Sequence, residues 1–490
     1  MPDLQTICST GIHGLDTILG RGLKRNRMYL LQGSPGAGKT TTALQYLLEG
    51  AARDEVVLYV TLSETKEELE EVARSHGWSL ERIPLIDLSA LENTSKATNT
   101  LYNPAEVELT QLSKLLMDRV HALKPDRLVL DSLSEMRLMS QSPLRYRRQI
   151  LSFKQEFAKV GCTVLLLDDK NETEEENQVQ SIVHGVITLT SAPMRYGVIR
   201  RYLTIQKLRG VRYREGNHDY VIETGGLRVF PRLVASEHLR AFTKELRSSG
   251  NRELDELIGG GLHTGTSNLL IGPAGSGKST LASMFAHAAC ARGENVIYYA
   301  FDENSATLRQ RAKEMGIDFE PHIKTGAMAV EQIDPANIAP GELAHNILTD
   351  VERRKTRVVV LDSLNGYVSA MPDEDFLTLH LHELLTYLGQ QGVTTIMLMA
   401  QHGLIGQMGT PVDVSYLADT VILMRFFEAL GSVKKAISVI KKRSGRHETT
   451  IRELLMTERG VVLGQPLREF EGVLSGIPKF KGSSDQMIEQ

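Results

Sequence analysis

Two copies of one glycine-rich loop constrain this chain more than any other feature. The first reads Gly33-Ser-Pro-Gly-Ala-Gly-Lys-Thr40, and the second reads Gly272-Pro-Ala-Gly-Ser-Gly-Lys-Ser279. Both match the pattern G-x-x-x-x-G-K-[ST], and both follow an apolar run and precede a segment of helical spacing, as a phosphate-binding loop does. A glycine-rich turn with an incidental lysine is the alternative interpretation, and the second matching copy argues against it. The sequence therefore predicts two nucleotide sites.

The repeat extends well beyond these loops. Corresponding pairs lie at offsets of 239 residues (Gly11 and Gly250, Lys39 and Lys278, Glu64 and Glu303), 231 residues (Asp131 and Asp362) and 234 residues (Arg209 and Arg443). We interpret this as the duplication of one domain, with the boundary between residues 232 and 246. A chain of 490 residues is long enough for an N-terminal domain at 1–235 and a C-terminal domain at 236–490.

Within each copy, short apolar runs alternate with helical segments. In the first copy the predicted strands are Tyr29–Gln32, Val56–Thr61, Leu128–Asp131 and Thr163–Leu167. Continuously apolar strands separated by helices indicate a mostly parallel sheet covered on both faces. The predicted fold class is α/β, with two tandem RecA-like P-loop NTPase domains.

The charge balance and the cysteines argue against several classes of protein. With 56 basic and 60 acidic residues, the net charge of −4 gives no electrostatic footprint for nucleic acid. The three cysteines have no metal-ligand spacing, and no apolar run is long enough to span a bilayer. The first ten residues lack the charged and apolar regions of a signal peptide. We expect a cytoplasmic protein without disulfides, zinc or a membrane segment.

The loops supply most of the predicted ATP contacts. Backbone N–H groups and the helix N-terminus would surround the phosphates, with each lysine reaching the β- and γ-phosphates and the next hydroxyl residue binding Mg²⁺. The predicted loop residues are Gly33, Ser34, Pro35, Gly36, Ala37, Gly38, Lys39, Thr40 and Thr41 in the first copy, and Gly272, Ala274, Gly275, Ser276, Gly277, Lys278, Ser279 and Thr280 in the second.

Acidic residues at the ends of apolar runs are the next candidates. Asp131 and Asp362 each end such a run, where a P-loop enzyme holds Mg²⁺ through water. Capping of the following helix is the alternative role. Glu64, Asp302 and Glu303 follow another strand and are predicted to orient or deprotonate the attacking water, with Asp302 also a candidate for Mg²⁺. Helix capping is again the alternative, and repetition at one offset favours catalysis.

A basic tripeptide occurs late in each copy, Lys207-Leu208-Arg209 and Lys441-Lys442-Arg443. Alternation along a strand would put its first and third residues on one face. These cations could decorate a solvated strand edge, or they could act on the γ-phosphate of a neighbouring subunit. The tripeptides alone leave both interpretations open.

In this combination the chain resembles the KaiC family of RecA-like ATPases. The resemblance runs from about Cys8 to Ile477 and includes Ala-Arg-Ser75-His-Gly-Trp78, Lys-Leu-Arg-Gly at 207–210 and the stretch Ala436–Glu453. It implies a hexamer with ATP at subunit interfaces, the basic tripeptides acting across them, and a contact from Ser75 to ATP. A KaiB-like protein is the partner class that it implies.

The family also transfers phosphate to adjacent hydroxyl residues of a neighbouring second domain. The matching positions here are Ser415 and Tyr416, the latter replacing the usual Ser or Thr. An exposed turn before a strand is the alternative interpretation. Other departures are Ala418, which removes a nearby hydroxyl, and Ser63 and Asp302, which alter the family's glutamate pair. The tail Pro478–Gln490 is brief and polar, so we expect no docking of a clock activator there.

The leading hypothesis is a hexameric, Mg·ATP-dependent ATPase whose second domain phosphorylates and dephosphorylates itself, in circadian timing or signalling. Two alternatives stay open. A RecA/DnaB-like nucleic-acid motor would use the same loops and cations, although the acidic balance disfavours it. A scaffold ring held together by nucleotide without turnover would fit the altered residues Ser63 and Asp302.

Overall fold

The structure is a computed structural model that describes residues 6–88, 104–140, 142–170, 174–193, 197–369, 374–401, 403, 413–429, 431–457, 460–474 and 479–481. The chain divides into two compact units, residues 1–232 and residues 233–490. Most of the tail Pro478–Gln490, and with it the prediction about activator docking, lies outside the described residues.

The first unit alternates strands and helices through most of its length. Its strands are β1 (Ile7–Cys8), β2 (Leu23–Lys24), β3 (Met28–Gly33), β4 (Val57–Thr61), β5 (Leu85–Asp87), β6 (Arg127–Asp131), β7 (Thr163–Asp169), β8 (Gly185–Ala192), β9 (Arg200–Leu208), β10 (His218–Glu223) and β11 (Gly226–Phe230). Its helices are α1 (His13–Ile18), α2 (Lys39–Ala52), α3 (Lys66–Ser75), α4 (Pro104–Leu123), α5 (Leu133–Ser140), α6 (Pro143–Val160) and α7 (Glu174–Ile182).

Nine of these strands form one sheet in the order β11-β10-β9-β8-β3-β7-β6-β4-β5. The six strands from β8 to β5 are parallel, whereas β9, β10 and β11 continue the sheet antiparallel. The central strands β3, β4 and β6 are buried throughout, because helices cover both faces of a parallel sheet.

The second unit repeats this arrangement. Its strands are β12 (Leu246–Arg247), β13 (Leu262–His263), β14 (Ser267–Gly272), β15 (Val296–Ala300), β16 (Met328–Gln332), β17 (Val358–Asp362), β18 (Thr394–Ala400), β19 (Thr420–Ala429), β20 (Ser432–Lys442), β21 (Arg452–Thr457), β22 (Gly460–Pro466), β23 (Phe470–Glu471) and β24 (Lys479–Phe480). Its α-helices are α8 (Arg252–Leu257), α9 (Lys278–Ala291), α10 (Ser305–Glu314), α11 (Glu320–Lys324), α12 (Pro340–Arg354), α13 (Leu364–Ser369) and α14 (Glu374–Gln390), and a short 3-10 helix spans Ala235–Glu237.

The second nine-stranded sheet has the order β16-β15-β17-β18-β14-β19-β20-β21-β22, which matches the first sheet strand for strand. The predicted fold class, two tandem RecA-like α/β domains with mostly parallel sheets, is therefore confirmed. In both sheets, the carboxyl ends of the parallel strands meet at one edge, and the glycine loops leave β3 and β14 at that edge.

Each sheet is covered on both faces by an apolar layer. In the first unit, Leu44 and Leu47 of α2 pack on one face, while Phe153 and Phe157 of α6 pack on the other. The second unit has the same two layers, built around α9 on one face and α12 to α14 on the other. These layers hold the sheets rigid, so that residues at the strand ends keep fixed positions.

The three cysteines, Cys8, Cys162 and Cys290, are buried and free. Within the described ranges, none of the helices combines the length and the apolar character that crossing a bilayer requires.

Candidate nucleotide sites

The first glycine loop is shaped as a cradle of backbone N–H groups. Gly36 and Gly38 have φ angles of 73° and 91°, a region that side chains other than glycine rarely adopt. Gly38 is the N-cap of α2 and brings no capping side chain, so the first N–H groups of the helix stay free for an anion. Strand β10 braces the loop, because the Tyr220 hydroxyl donates to the Ala37 carbonyl at 2.7 Å.

The second loop repeats the backbone but not the brace. Gly275 and Gly277 have φ angles of 76° and 105°, and Gly277 caps α9 without a side chain. A Cβ on Gly277 would lie 1.9 Å from the terminal methyl of Met456, so the loop packs closely against β21. The loop residues lie where the sequence places them, between β14 and α9.

The two loop lysines have different partners. The Lys39 ammonium donates to the Gly33 and Ser34 carbonyls at 2.9 and 3.3 Å and forms an ion pair with Asp169 at 2.8 Å. Lys278 is 8% exposed and donates to the Gly272 and Pro273 carbonyls, both at 2.8 Å. Its burial lowers its pKa to about 8.

That difference follows from the strand beside each loop. Asp169 ends β7 and is paired in register with Gly33, while Ala400 ends β18 and is paired with Gly272. The preceding residue, Asp168, is buried and forms an ion pair with Arg137 of α5. An acidic group therefore lies beside the first loop, and a methyl group occupies the same position beside the second.

Both strand-end aspartates lie beside a buried tyrosine. The Tyr59 hydroxyl donates to the Asp131 carboxylate at 2.6 Å, and the Tyr298 hydroxyl donates to Asp362 at 2.5 Å. Burial raises the pKa of both aspartates, and the tyrosine hydrogen bonds oppose this effect. Ser279 also lies close enough to lower the pKa of Asp362, so a predicted Mg²⁺ hydroxyl and carboxylate lie near each other.

Glu64 is fixed by a turn at the end of β4. The Glu64 N–H donates to the Thr61 hydroxyl at 2.9 Å, which in turn donates to the Glu64 carbonyl at 2.7 Å. Its carboxylate accepts a hydrogen bond from Thr40 at 3.3 Å, while the other oxygen is buried without a partner among the described residues. Burial, and to a lesser extent the charge of Asp131, raises the pKa of Glu64.

The two carboxylates at the equivalent place in the second unit point to different partners. Asp302 accepts a short hydrogen bond from Ser363, the residue after Asp362. Glu303 forms an ion pair with Arg311 of α10 at 2.8 Å. Burial raises the pKa of Glu303, and the charge of Arg311 opposes that shift.

The basic tripeptides bind backbone carbonyls of their own chain. Lys207 and Arg209 donate to the Gln180 and Ser181 carbonyls at the end of α7, with the Arg209 to Ser181 distance 2.8 Å. Arg209 lies one residue beyond β9, so strand alternation does not set its direction, yet both side chains reach the same turn.

In the second unit the corresponding basic pair, Lys441 and Arg443, contacts the predicted phosphorylation segment. Lys441 donates to the Ser415 carbonyl at 3.0 Å, and Arg443 donates to the Tyr416 carbonyl at 2.6 Å. The Ser415 N–H donates to Asp413 at 2.9 Å, and Tyr416 is 51% exposed. The segment is thus a turn held from both sides, with its phenol in solvent.

Several other predicted residues have local contacts in this structure. Ser75 ends α3 and donates to the Val72 carbonyl, and Thr41 lies 3.4 Å from a ring nitrogen of His76. Leu208 is buried in the core, and Lys442 donates to the Ile258 carbonyl at the end of α8. Lys442 therefore points away from Lys441, as alternation along a strand requires.

The residues present fit Mg²⁺ and a nucleotide triphosphate. Among the described residues there is no group of three His, Cys, Asp or Glu side chains that could hold a metal ion alone. Mg²⁺ at phosphate sites takes one or two protein oxygens, with phosphates and waters completing its shell. Thr40 with Asp131, and Ser279 with Asp362, offer that number of oxygens at the mouth of each loop.

Sequence reasoning missed Tyr59, Tyr298, Asp169 and Arg311. The tyrosines repeat at the 239-residue offset and could have been found from the duplication. Asp169 and Arg311 break the repeat, and their partners become apparent only in the folded chain.

A glycine loop after a parallel strand, a loop lysine, a hydroxyl and a strand-end aspartate define the class of this protein as a P-loop ATPase of the RecA-like type. Comparison with known proteins narrows this class. The profile of the family described as "ATPase: KaiC" matches residues 8–234 and again residues 248–468. The chain belongs to the KaiC ATPase family.

Curated relatives match almost the whole chain. The circadian clock oscillator protein KaiC of Thermostichus vulcanus is 27% identical over 477 residues, which cover 96% of this chain and 91% of that protein. The protein of the same name from Acaryochloris marina is 25% identical, with 96% and 90% covered. The circadian clock protein KaiC3 of a Synechocystis species is 26% identical, with 97% and 95% covered.

Proposed function

We propose that this protein is a hexameric, Mg·ATP-dependent ATPase whose second domain phosphorylates Ser415, and less readily Tyr416, and removes that phosphate again. The clock proteins among its relatives support a role in circadian timing or related signalling, with a KaiB-like protein as the partner class. The first domain, 1–235, would assemble the ring and hydrolyse ATP, and the second, 236–490, would add the kinase reaction.

The observation that carries the kinase proposal is the contact between the basic pair and the acceptor turn. Lys441 and Arg443 hold the carbonyls of Ser415 and Tyr416 at 3.0 and 2.6 Å. A γ-phosphate that approaches these two cations would therefore come next to the acceptor hydroxyls. The same two side chains would neutralise charge that develops on the transferred group.

Sheet register argues that this γ-phosphate belongs to a neighbouring subunit. Lys442 lies between the two cations in sequence and is paired with Thr420, which is paired in turn with Asn268 near the start of β14. The glycine loop begins at the other end of β14, at Gly272. The four residue steps from Asn268 to Gly272 span about 13 Å at ~3.3 Å per residue. The basic pair of one chain thus lies far from its own loop, and Lys207 and Arg209 lie equally far from Gly33.

Each residue then has a separate task in the reaction. The loop N–H groups and Lys278 bind and orient the phosphates, while Ser279 and Asp362 would hold Mg²⁺, which neutralises phosphate charge when bound. Asp302 or Glu303 would accept the proton of the attacking hydroxyl, of water or of Ser415. In the first site Glu64 would take the proton of water.

A phosphate on Ser415 would place negative charge beside Lys441 and Arg443, the two cations that already contact the turn. Such a group forms strong, charge-assisted hydrogen bonds with lysine and arginine. Because these cations would also contact a neighbour's nucleotide, modification of Ser415 would change the contact between subunits. This coupling is the physical basis proposed for a timing or signalling output.

Incubation with Mg·ATP followed by phosphosite mapping tests the proposal. We expect phosphate on Ser415, lost in Ser415→Ala, together with a native mass of six chains. Lys441→Ala should abolish the modification, and Lys435→Ala, at a half-buried site on the same strand, is the matched control. ATP turnover with neither Ser415 nor Tyr416 modified would remove the kinase part. Unchanged turnover in both Glu64→Gln and Glu303→Gln would remove the assignment of those carboxylates.

A further inference from the structure

The two glutamates that follow β4 and β15 occupy equivalent positions but have different partners. Glu64 and Glu303 each lie two residues before an aligned helix, α3 and α10, and these helices correspond residue for residue. Any difference in the carboxylate environment therefore comes from individual side chains and not from the fold.

In the first unit, Glu64 is held toward the nucleotide loop. The Thr61 hydroxyl fixes its backbone, and the Thr40 hydroxyl donates to its carboxylate at 3.3 Å. Val72 of α3 packs into the apolar core nearby and offers no charge. The carboxylate thus faces the hydroxyl that would hold Mg²⁺.

In the second unit, the threonine that fixes the turn is absent and a cation contacts the glutamate. Ala300 stands where the first unit has Thr61, so no hydroxyl fixes the turn. Arg311 stands where the first unit has Val72, and its guanidinium forms the 2.8 Å ion pair with Glu303. Asp302, the preceding residue, is hydrogen-bonded to Ser363 beside the strand-end aspartate.

We propose that Arg311 is a positioning residue that holds the Glu303 carboxylate against α10, which leaves Asp302 as the carboxylate nearest the reacting atoms and slows hydrolysis in the second site. The inference rests on the proposed function, because it assumes that these carboxylates serve ATP turnover. Its consequence is that ATP in the second site persists long enough to phosphorylate a serine instead of water.

The slowed step is the attack of water on ATP in the second site. In hydrolysis, water attacks the γ-phosphorus, the bond from the γ-phosphorus to the bridging oxygen breaks, ADP leaves, and the carboxylate takes a proton from water. A carboxylate held by a guanidinium on α10 is not free to turn toward that water. Removal of Arg311 frees Glu303 for this task.

Steady-state kinetics on the full chain test the inference. In a Glu64→Gln background, which silences the first site, we expect Arg311→Val to raise kcat for ATP hydrolysis about three- to tenfold and to change KM less than twofold. Arg311→Lys should restore the slow rate. Arg309→Val is the matched control, since Arg309 lies on the same helix in an ion pair with Glu320 and should leave kcat unchanged.

Two further variants separate the outcomes. Adding Glu303→Gln to Arg311→Val should cancel the gain, and Val72→Arg, in a Lys278→Ala background, should slow the first site. An unchanged kcat in Arg311→Val, with the thermal midpoint preserved, would overturn the inference even if Asp302→Asn lowers turnover and upholds the proposed function. If Asp302→Asn and Glu303→Gln both leave turnover unchanged, the proposed carboxylate roles fail instead.

Discussion

The two loop lysines show how one neighbouring side chain changes a site whose backbone geometry is repeated in both units. Lys39 and Lys278 follow the same glycine turn, yet Lys39 forms an ion pair with Asp169, whereas Lys278 donates to the Gly272 and Pro273 carbonyls. An anion that approaches the first loop must draw the ammonium away from a carboxylate. It must also approach that carboxylate, which carries a like charge.

Asp169→Ala should therefore tighten ATP binding in the first site. We expect the dissociation constant to fall about tenfold, because the substitution removes both the competitor for Lys39 and the repulsion of the phosphates. Equilibrium titration with a fluorescent ATP analogue in a Lys278→Ala background isolates this site. Asp54→Ala, an exposed carboxylate paired with Arg82, is the control. Unchanged or weaker binding in Asp169→Ala would contradict this account.

At the residue scale, sequence reasoning found the groups that belong to a contiguous motif and missed those that do not. The loops and the basic tripeptides are local patterns with known chemistry. Asp169 lies 130 residues from Lys39, and nothing near it in sequence indicates a nucleotide site. Only strand register, which pairs Gly33 with Asp169, brings the two together.

At the element scale, the parallel strands were predictable, whereas the antiparallel part of each sheet was indicated only at the basic tripeptides. Strands β3, β4 and β6 are buried on both faces, so their sequences are continuously apolar. Strand β10 mixes buried and half-buried residues and carries charges, which hides it among loops. The predicted strand Val56–Thr61 begins at Val57, a one-residue difference at a boundary that hydrogen bonding alone decides.

Two histidines, the buried His218 and the half-buried His380, show how individual elements depend on pH. His218 begins β10, accepts a hydrogen bond from the Arg232 N–H at 2.8 Å, and lies 3.0 Å from the Arg214 carbonyl. His380 of α14 lies against the Tyr367 hydroxyl. Burial lowers the pKa of each to about 4. Both rings are therefore neutral in the folded chain at pH values where an unfolded histidine is charged.

Stability of each unit should fall as the pH is lowered from 6.5 toward 4. In this window the unfolded chain binds more protons than the folded one, so each histidine contributes a slope of up to ~1.4 kcal/mol per pH unit. Urea unfolding between pH 6.5 and 5 measures the slope. His218→Gln should flatten it for the first unit, and His380→Gln for the second, while His13→Gln, at an exposed position, serves as the control. Equal slopes in all four proteins would refute the assignment.

At the scale of the whole molecule, the duplication yields two sites that share the loop, the lysine and the strand-end aspartate but differ in the side chains around them. The first has Asp169 beside its lysine and a glutamate directed at Thr40. The second has a buried lysine, a glutamate paired with Arg311, and a lysine that donates to the Ser415 carbonyl. We infer that the first site is built for hydrolysis and the second for transfer of phosphate to the protein.

The fate of the γ-phosphate tests this division of labour most directly. Labelled ATP is supplied to the wild type, Glu64→Gln and Lys278→Ala, and label is counted as inorganic phosphate and on Ser415, with native mass confirming equal assembly. We predict that Glu64→Gln removes most of the inorganic phosphate and keeps the label on Ser415, while Lys278→Ala does the reverse. Equal loss of both products in the two variants would contradict the account.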